Sequence, residues 1–270
     1  MDKEILTMEE AAELFGVSVK TFIKLLKEEK VPARKIGREW RFSRKALIEW
    51  LSAGDSQTYS ASEGDTREFF NEVASDWEEI RKGYYDESVK NKLIGMNILS
   101  RDMVAVDLGA GAGYLSCAIA KEVKKVMAVD ISGEMLKQLK KNSREAGIKN
   151  IEAIESDGCD VPLETDSVDL VCASMYLHHI EEPKNAIAEI YRLLKPGGTV
   201  FLADFYEHSD TVLKEKMHDV WSGFKEDKIS GWFKQAGFRE INLELLVEDY
   251  KNPANKGEKN VRIFVLTANK

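Results

Sequence analysis

The sequence predicts an α/β protein, a mostly parallel sheet with helices on both faces, preceded by a small helical domain. Three observations carry that expectation. Val104-Ala-Val-Asp-Leu-Gly-Ala-Gly-Ala-Gly113 reads as a buried strand, an acid, three alternate glycines and a helix from about Tyr114. Short apolar runs recur downstream, separated by stretches of helical period, the pattern of strand–helix–strand units. The first 52 residues carry 11 Lys and Arg against 9 Asp and Glu, whereas the chain as a whole has a formal net charge of -8. A locally basic end on an acidic chain marks a separate small domain and suggests a nucleic-acid surface or a solvated face.

Within residues 1–52, Thr7-Met-Glu-Glu10 is a capping box that opens a helix over Met8–Phe15, with Ala11, Ala12, Leu14 and Phe15 inward. Gly16-Val-Ser18 turns the chain, and Ser18 caps a second helix running to about Glu29. Phe22, Ile23, Leu25 and Leu26 supply its buried side; Lys20, Lys24 and Lys27 recur on the other, with Thr21 beside them. Arg34–Phe42 reads as two short strands around a Gly37-Arg38 turn, and Ser43 caps a third helix ending near Leu51. Glu10-Ala-Ala12, Val17-Ser18, Pro32-Ala33, Gly37 and Trp40-Arg-Phe42 together resemble the winged helix-turn-helix of the excisionase/MerR type. The resemblance implies DNA as a partner, with the second helix in the major groove and the basic hairpin on phosphates. The residues it nominates are Lys20, Thr21, Lys24, Arg34, Lys35, Arg38 and Arg41.

Residues 53–65 are small, polar and without period, and read as a flexible linker to a second domain over 66–270. That domain opens with a helix over Arg67–Lys82, its apolar side formed by Phe69, Phe70, Val73, Ala74 and Trp77, and with another over Ser88–Leu99. Phe69 and Phe70 read as core packing, whereas Tyr84 and Tyr85 are open to a pocket role.

In the glycine segment, absent Cβ atoms let the chain turn sharply and let a ligand lie against the backbone. The helix that follows turns its unpaired N–H groups and positive dipole end toward the same spot, so a nucleotide-like cofactor suits it. Dinucleotide sites use the spacing G-x-G-x-x-G; here it is G-x-G-x-G, with Asp107 two residues before the first glycine. A carboxylate there would repel a pyrophosphate and attract an ammonium group. A second apolar strand ends at Asp130, an acid able to accept from ribose hydroxyls, and Ser132 then caps the next helix. A third strand, Ile151–Ser156, ends at Asp157-Gly158, and Val168–Ser174 is a fourth. A helix over Pro183–Leu194 follows, then a Leu194-Lys-Pro-Gly-Gly198 turn and a strand over Thr199–Phe205. Helices over Val212–Phe224 and Lys228–Gln235 and strands over Glu240–Leu246 and Val261–Ala268 complete the domain.

In this order, these elements resemble the class I S-adenosylmethionine-dependent methyltransferases of the menaquinone/ubiquinone type. The resemblance implies a Rossmann-like sheet of seven strands, with N-terminal helices over the cofactor cleft. It implies S-adenosyl-L-methionine as cofactor, bound by Asp107, Gly109, Gly111, Gly113, Asp130, Ile131, Met135, Asp157, Gly158 and Ser174. Met135 would lie over the adenine, and Asp157 would accept from its amino group.

Methyl transfer asks for alignment, exclusion of water and sometimes a base. His178, His179 and Tyr85 are the candidates for that last role. All four histidines, including His208 and His218, follow the fourth and fifth strands. No pair of them has a strong ligand spacing on one predicted helix, so no metal is expected. Ser174-Met-Tyr-Leu177 lacks the proline-rich loop of amino-methylating DNA enzymes, and Cys172 lies inside a strand rather than on a nucleophile loop, which argues against DNA as methyl acceptor. Cys117, Cys159 and Cys172 form no paired framework, no stretch of eighteen apolar residues occurs, and no secretory pattern opens the chain. A cytoplasmic protein is expected, dimeric if the winged domain acts in pairs. Two functions fit: a small-molecule methyltransferase linked to DNA, or a transcriptional regulator whose methyltransferase-like domain senses S-adenosylmethionine or another ligand without turnover.

Overall fold

Thr7 and Glu10 cap each other at the start of the first helix: the Glu10 amide donates to Thr7 Oγ1 at 3.3 Å and the Thr7 amide donates to Glu10 Oε2 at 2.8 Å. In the computed structural model, which describes residues 3–28, 31–37, 39–53, 66–84, 86–250 and 261–270, two units form: Met1–Ala61 and Ser62–Lys270. The linker expected at 53–65 lies outside the described residues except for its first position.

The smaller unit comprises β1 (Ile5–Leu6), α1 (Met8–Leu14), α2 (Val19–Glu28), β2 (Arg34–Ile36), β3 (Glu39–Ser43) and α3 (Arg44–Ala53). Ser18 Oγ accepts from the Thr21 amide at 3.1 Å and Ser43 Oγ from the Ala46 amide at 3.3 Å, so both serines start helices as their residue type dictates. The strands form an antiparallel sheet in the order β1-β3-β2, and Phe22, Phe42, Leu47, Ala11 and Ala12 close one core. The hairpin β2–β3 is the wing.

The larger unit begins with α4, helical over residues 66–73, then α5 (Trp77–Tyr84) and α6 (Ser88–Gly95). The single helix expected over Arg67–Lys82 is broken at residues 74–76. Asp76 donates to Val73 O and its own carbonyl accepts from Glu79 and Ile80, so a new helix starts there with Glu78 and Glu79 in its first turn. The helix expected to reach Leu99 stops at Gly95, and Asn97 turns into the left-handed region at φ 55°.

The strands are β4 (Val104–Leu108), β5 (Lys125–Asp130), β6 (Ile151–Glu155), β7 (Val168–Ser174), β8 (Leu194–Phe205), β9 (Arg239–Tyr250) and β10 (Val261–Asn269). They lie in the order β6-β5-β4-β7-β8-β10-β9, with β10 antiparallel to both its neighbours. Helices α7 (Tyr114–Ile119), α8 (Gly133–Glu145), α9 (Pro183–Leu193), α10 (Thr211–Met217) and α11 (Glu226–Ala236) complete this Rossmann-like fold. The centre of the sheet is almost wholly apolar, as strands covered on both faces must be. Strand order reverses between β4 and β7, and the crevice at their C-terminal ends is where such sheets take ligands.

Two further expectations are corrected. Leu194–Gly198 is not a free turn: Leu194 pairs with Val168, and Gly197 and Gly198 exchange backbone hydrogen bonds with Lys270, so the segment belongs to β8. The helix expected over Val212–Phe224 ends at Met217, because His218 adopts φ 55° and the next residues bond elsewhere: Val220 and Trp221 donate to His178 O, and Phe224 donates to Phe205 O.

Candidate active site

Asp107 is the last residue but one of β4, deep in the sheet, with Ala128 and Cys172 beside it. Its carboxylate is 2% exposed and accepts from Ser116 Oγ at 2.6 Å. Burial pushes its pKa up to about 7, against the Ser116 bond and with help from the charge of Asp130. Beyond it the backbone winds through Gly109 (φ 67°), Gly111 (φ 52°) and Gly113 (φ 98°), conformations that residues with a Cβ adopt with strain. A Cβ on Gly109 would stand 2.7 Å from Tyr176 Cδ2, and one on Gly158 would stand 2.3 Å from Tyr176 Oη. The buried Tyr176 ring is wedged between these two loops, its hydroxyl donating to Asp157 O at 3.1 Å.

Asp130, at the tip of β5, accepts from the Gly111 amide at 2.7 Å and from the Ser132 amide at 2.9 Å. Burial raises its pKa to about 6 against those two bonds. Asp157 caps its own turn, accepting from the Cys159 amide at 2.9 Å.

These residues line one cleft, open to solvent at its mouth. Asp107, Gly109, Gly111, Asp130, Ile131, Met135, Asp157, Gly158 and Ser174 all reach it; Gly113 does not, serving instead as the left-handed N-cap of α7. Among the described residues, buried Ser174 Oγ has no hydrogen-bond partner. The opposite wall comes from Phe70 of α4, Trp77 of α5 and Tyr114 of α7. Phe70 therefore belongs to the cleft, not to core packing alone, and Trp77 Nε1 lies 3.3 Å from where a Gly111 Cβ would sit. The spacing of Phe70 and Trp77, two helical turns apart on one apolar stripe, was the signal that could have found them.

Of the proton-transfer candidates, His179 lines the cleft and His178 lies behind it. The turn Leu177–His179 presents them side by side, ring centroids 4.2 Å apart. His178 Nδ1 pairs with Asp204 Oδ1 at 2.7 Å, and Asp204 also accepts from the Leu177 amide at 3.0 Å. Burial opposes charge on His178, but Asp204 and Asp219 outweigh it and raise its pKa to about 10. Burial and the neighbouring His178 charge push His179 down to about 4, which leaves it neutral at pH 7. Asp219 escapes a reading of the sequence because residues 212–224 have the composition of one helix, whereas the helix ends at Met217. His208 and His218 lie apart from the cleft wall, His218 stacked on Phe69 at 4.6 Å. Tyr85 falls outside the described residues, as does Arg38.

In the smaller unit, Lys20, Thr21 and Lys24 are exposed on α2, and Arg34 and Lys35 on β2. Thr21 Oγ1 shares a hydrogen bond with Ser18 Oγ at 2.8 Å, within the helix cap. Arg41 is partly buried, pairing with Glu39 and donating to Trp40 O at 2.9 Å.

Residues 106–202 match the family model described as "Methyltransferase domain", and residues 5–55 match that described as "Helix-turn-helix domain". The chain carries a methyltransferase domain behind a helix-turn-helix domain. Over 167 residues it is 32% identical to the 2-methyl-6-phytyl-1,4-hydroquinone methyltransferase of Arabidopsis thaliana, covering 61% of this chain and 49% of that one. It thus spans about half the length of the curated relatives it matches. The methyltransferase domain also superimposes on the YcgJ protein of Bacillus subtilis with a TM-score of 0.59 at 18% identity, covering 68% of this chain and 99% of that one. A phosphoethanolamine N-methyltransferase of Haemonchus contortus, solved with S-adenosylhomocysteine, gives 0.57 at 19%, covering 66% and 51%. At such identities the likeness is one of fold. Among the described residues no helix is long and apolar enough to cross a membrane.

Proposed function

We propose that the methyltransferase domain binds S-adenosylmethionine in the Asp107–Asp130–Asp157 cleft and methylates a small, largely apolar acceptor. The observation that carries this reading is the pairing of a buried Asp107, its pKa raised by burial, with a positive-φ glycine turn at the point where strand order reverses. A cofactor ammonium beside Asp107 would supply the positive charge that its burial lacks. The glycine turn would let the methionine end lie against the backbone, while Met135 and the Asp130 carboxylate flank the adenosyl group.

Methyl transfer breaks the sulfonium carbon–sulfur bond as the acceptor's electron pair forms the new bond, and the acceptor loses a proton. Phe70, Trp77 and Ile180 form walls that exclude water and suit a flat ring. An acceptor of hydroquinone type fits both those walls and the relatives' names. We place the protein in the cytoplasm, with the helix-turn-helix domain holding it to DNA.

The helix-turn-helix match favours a second reading, a regulator that senses S-adenosylmethionine without turnover. Calorimetric titration with S-adenosylmethionine, followed by an assay for S-adenosylhomocysteine release over a panel of hydroquinones and phenols, separates the two. Turnover supports the enzyme; tight binding with no product on any acceptor supports the sensor; no binding removes both.

A further inference from the structure

At the edge of the cleft, donors from two separate loops converge. His178 Nε2 lies 3.4 Å from Asp219 Oδ1 and His179 Nδ1 lies 3.7 Å from the same oxygen, and these three atoms all fall within 4.8 Å of one another. The side chains are 3%, 10% and 0% exposed. Among the described residues, neither oxygen of Asp219 nor Nδ1 of His179 has a well-aligned hydrogen-bond partner, although buried polar atoms nearly always find one.

A charge-assisted bond from an imidazolium to a carboxylate closes to about 2.7–2.9 Å, and His178 does so with Asp204 through its other nitrogen at 2.7 Å. Toward Asp219 the same ring stops well short. Ligands bound about 2.0–2.2 Å from a tetrahedral zinc ion stand roughly 3.3–3.6 Å from each other, and the two histidine nitrogens stand 3.4 and 3.7 Å from Asp219 Oδ1. His178 also has the outer support typical of a metal-bound imidazole: Asp204 holds its Nδ1, and the Leu177 and Phe205 amides hold Asp204, at 3.0 and 2.7 Å.

We propose that His178 Nε2, His179 Nδ1 and Asp219 bind a divalent transition-metal ion of the zinc class. Two imidazoles and one carboxylate are a donor set for such ions, not for magnesium or calcium. Three protein ligands leave coordination positions open, as in catalytic rather than structural sites. His179 lines the cleft, so an ion can enter from there, and an acceptor oxygen or sulfur can reach it. Sequence spacing does not reveal the site, because its carboxylate lies forty residues beyond the histidine pair, in a segment with the composition of a helix.

The test uses the full chain stripped with chelator and measured without S-adenosylmethionine, so its outcome is independent of the proposed methyl transfer. Titration with Zn²⁺ should give one site per chain, and Co²⁺ should give the visible absorption of a low-coordinate nitrogen/oxygen site. His179→Gln and Asp219→Asn should each weaken Zn²⁺ binding by more than about tenfold, since even a residue that only orients a ligand is worth about 10–100-fold. Among the described residues Nδ1 of His179 has no hydrogen-bond partner and Gln keeps a neutral polar side chain there, so a cooperative metal-free melt shows that His179→Gln folds, and that variant decides the matter if Asp219→Asn fails to fold. Absence of a Zn²⁺ or Co²⁺ site in the wild type, or undiminished binding by His179→Gln, overturns the proposal.

Discussion

The Asp130 carboxylate reaches back from the tip of β5 to accept the Gly111 amide at 2.7 Å. Its other oxygen takes the Ser132 amide at 2.9 Å, at the start of α8. One side chain thus fixes the glycine turn and the neighbouring helix before any ligand arrives. The acid is both part of the scaffold and part of the cleft wall.

Replacing Asp130 by Ala should therefore damage two properties together. Two backbone N–H groups lose their acceptor, which costs about 1–3 kcal/mol for each. The turn also loses its anchor, and affinity for S-adenosylmethionine should fall by at least about tenfold, a loss of roughly 1.4 kcal/mol. Thermal melting and calorimetry read the two effects separately. A variant that melts early yet binds S-adenosylmethionine normally would refute the role in the cleft.

Gly111→Val tests the turn itself. Gly111 sits at φ 52°, and a Cβ there would stand 3.3 Å from Trp77 Nε1. A β-branched residue is strained in that region by about 1–2 kcal/mol or more, and its side chain would enter the space a cofactor needs. The expected result is a folded protein without measurable S-adenosylmethionine binding. Unchanged affinity would take the glycine turn out of the site.

Asp107 predicts a pH dependence with opposite signs for stability and for binding. Its folded pKa, raised by burial to about 7, exceeds the unfolded value of about 3.9. The stability linked to its protonation is therefore fully present below about pH 4 and is lost as pH rises through about 7. An ammonium ligand prefers the carboxylate, so affinity should climb by up to about tenfold per pH unit below pH 7 and then level off. Asp107→Asn should flatten both profiles. Calorimetry and melting between pH 5 and 8 supply the measurements, and an affinity that is flat across that range would exclude contact between Asp107 and a cationic group.

Local chemistry made much of this legible. Thr7, Ser18, Ser43 and Ser132 cap helices in the structure because a short hydroxyl side chain satisfies an orphan amide wherever it occurs. The strand–acid–glycine order placed Asp107, Asp130 and Asp157 at successive strand ends because apolar runs and positive-φ residues are local signals. What escaped depended on distant partners. Residues 218–224 have the composition of a helix, yet His178 O and Phe205 O capture their amides. Leu194–Gly198 has the composition of a turn, yet Lys270, at the other end of the domain, pairs with it. The cluster of His178, His179 and Asp219 exists only once those non-local bonds form.

The wing yields the remaining prediction. Arg34 and Lys35 are exposed on β2, whereas Arg41 is tied to Glu39 and to the Trp40 carbonyl. Phosphate contacts release counterions, and each removes about 0.9 from the slope of log affinity against log salt on duplex DNA. Arg34→Ala with Lys35→Ala should therefore weaken binding on every sequence and reduce that slope by about 2. Arg41→Ala should change it less, because its charge is already compensated by Glu39. A salt series in fluorescence anisotropy with two unrelated duplexes measures all three proteins. If the wild type has no affinity for duplex DNA even at low salt, the basic face of α2 and β2 is a solvated surface and not a DNA-binding one.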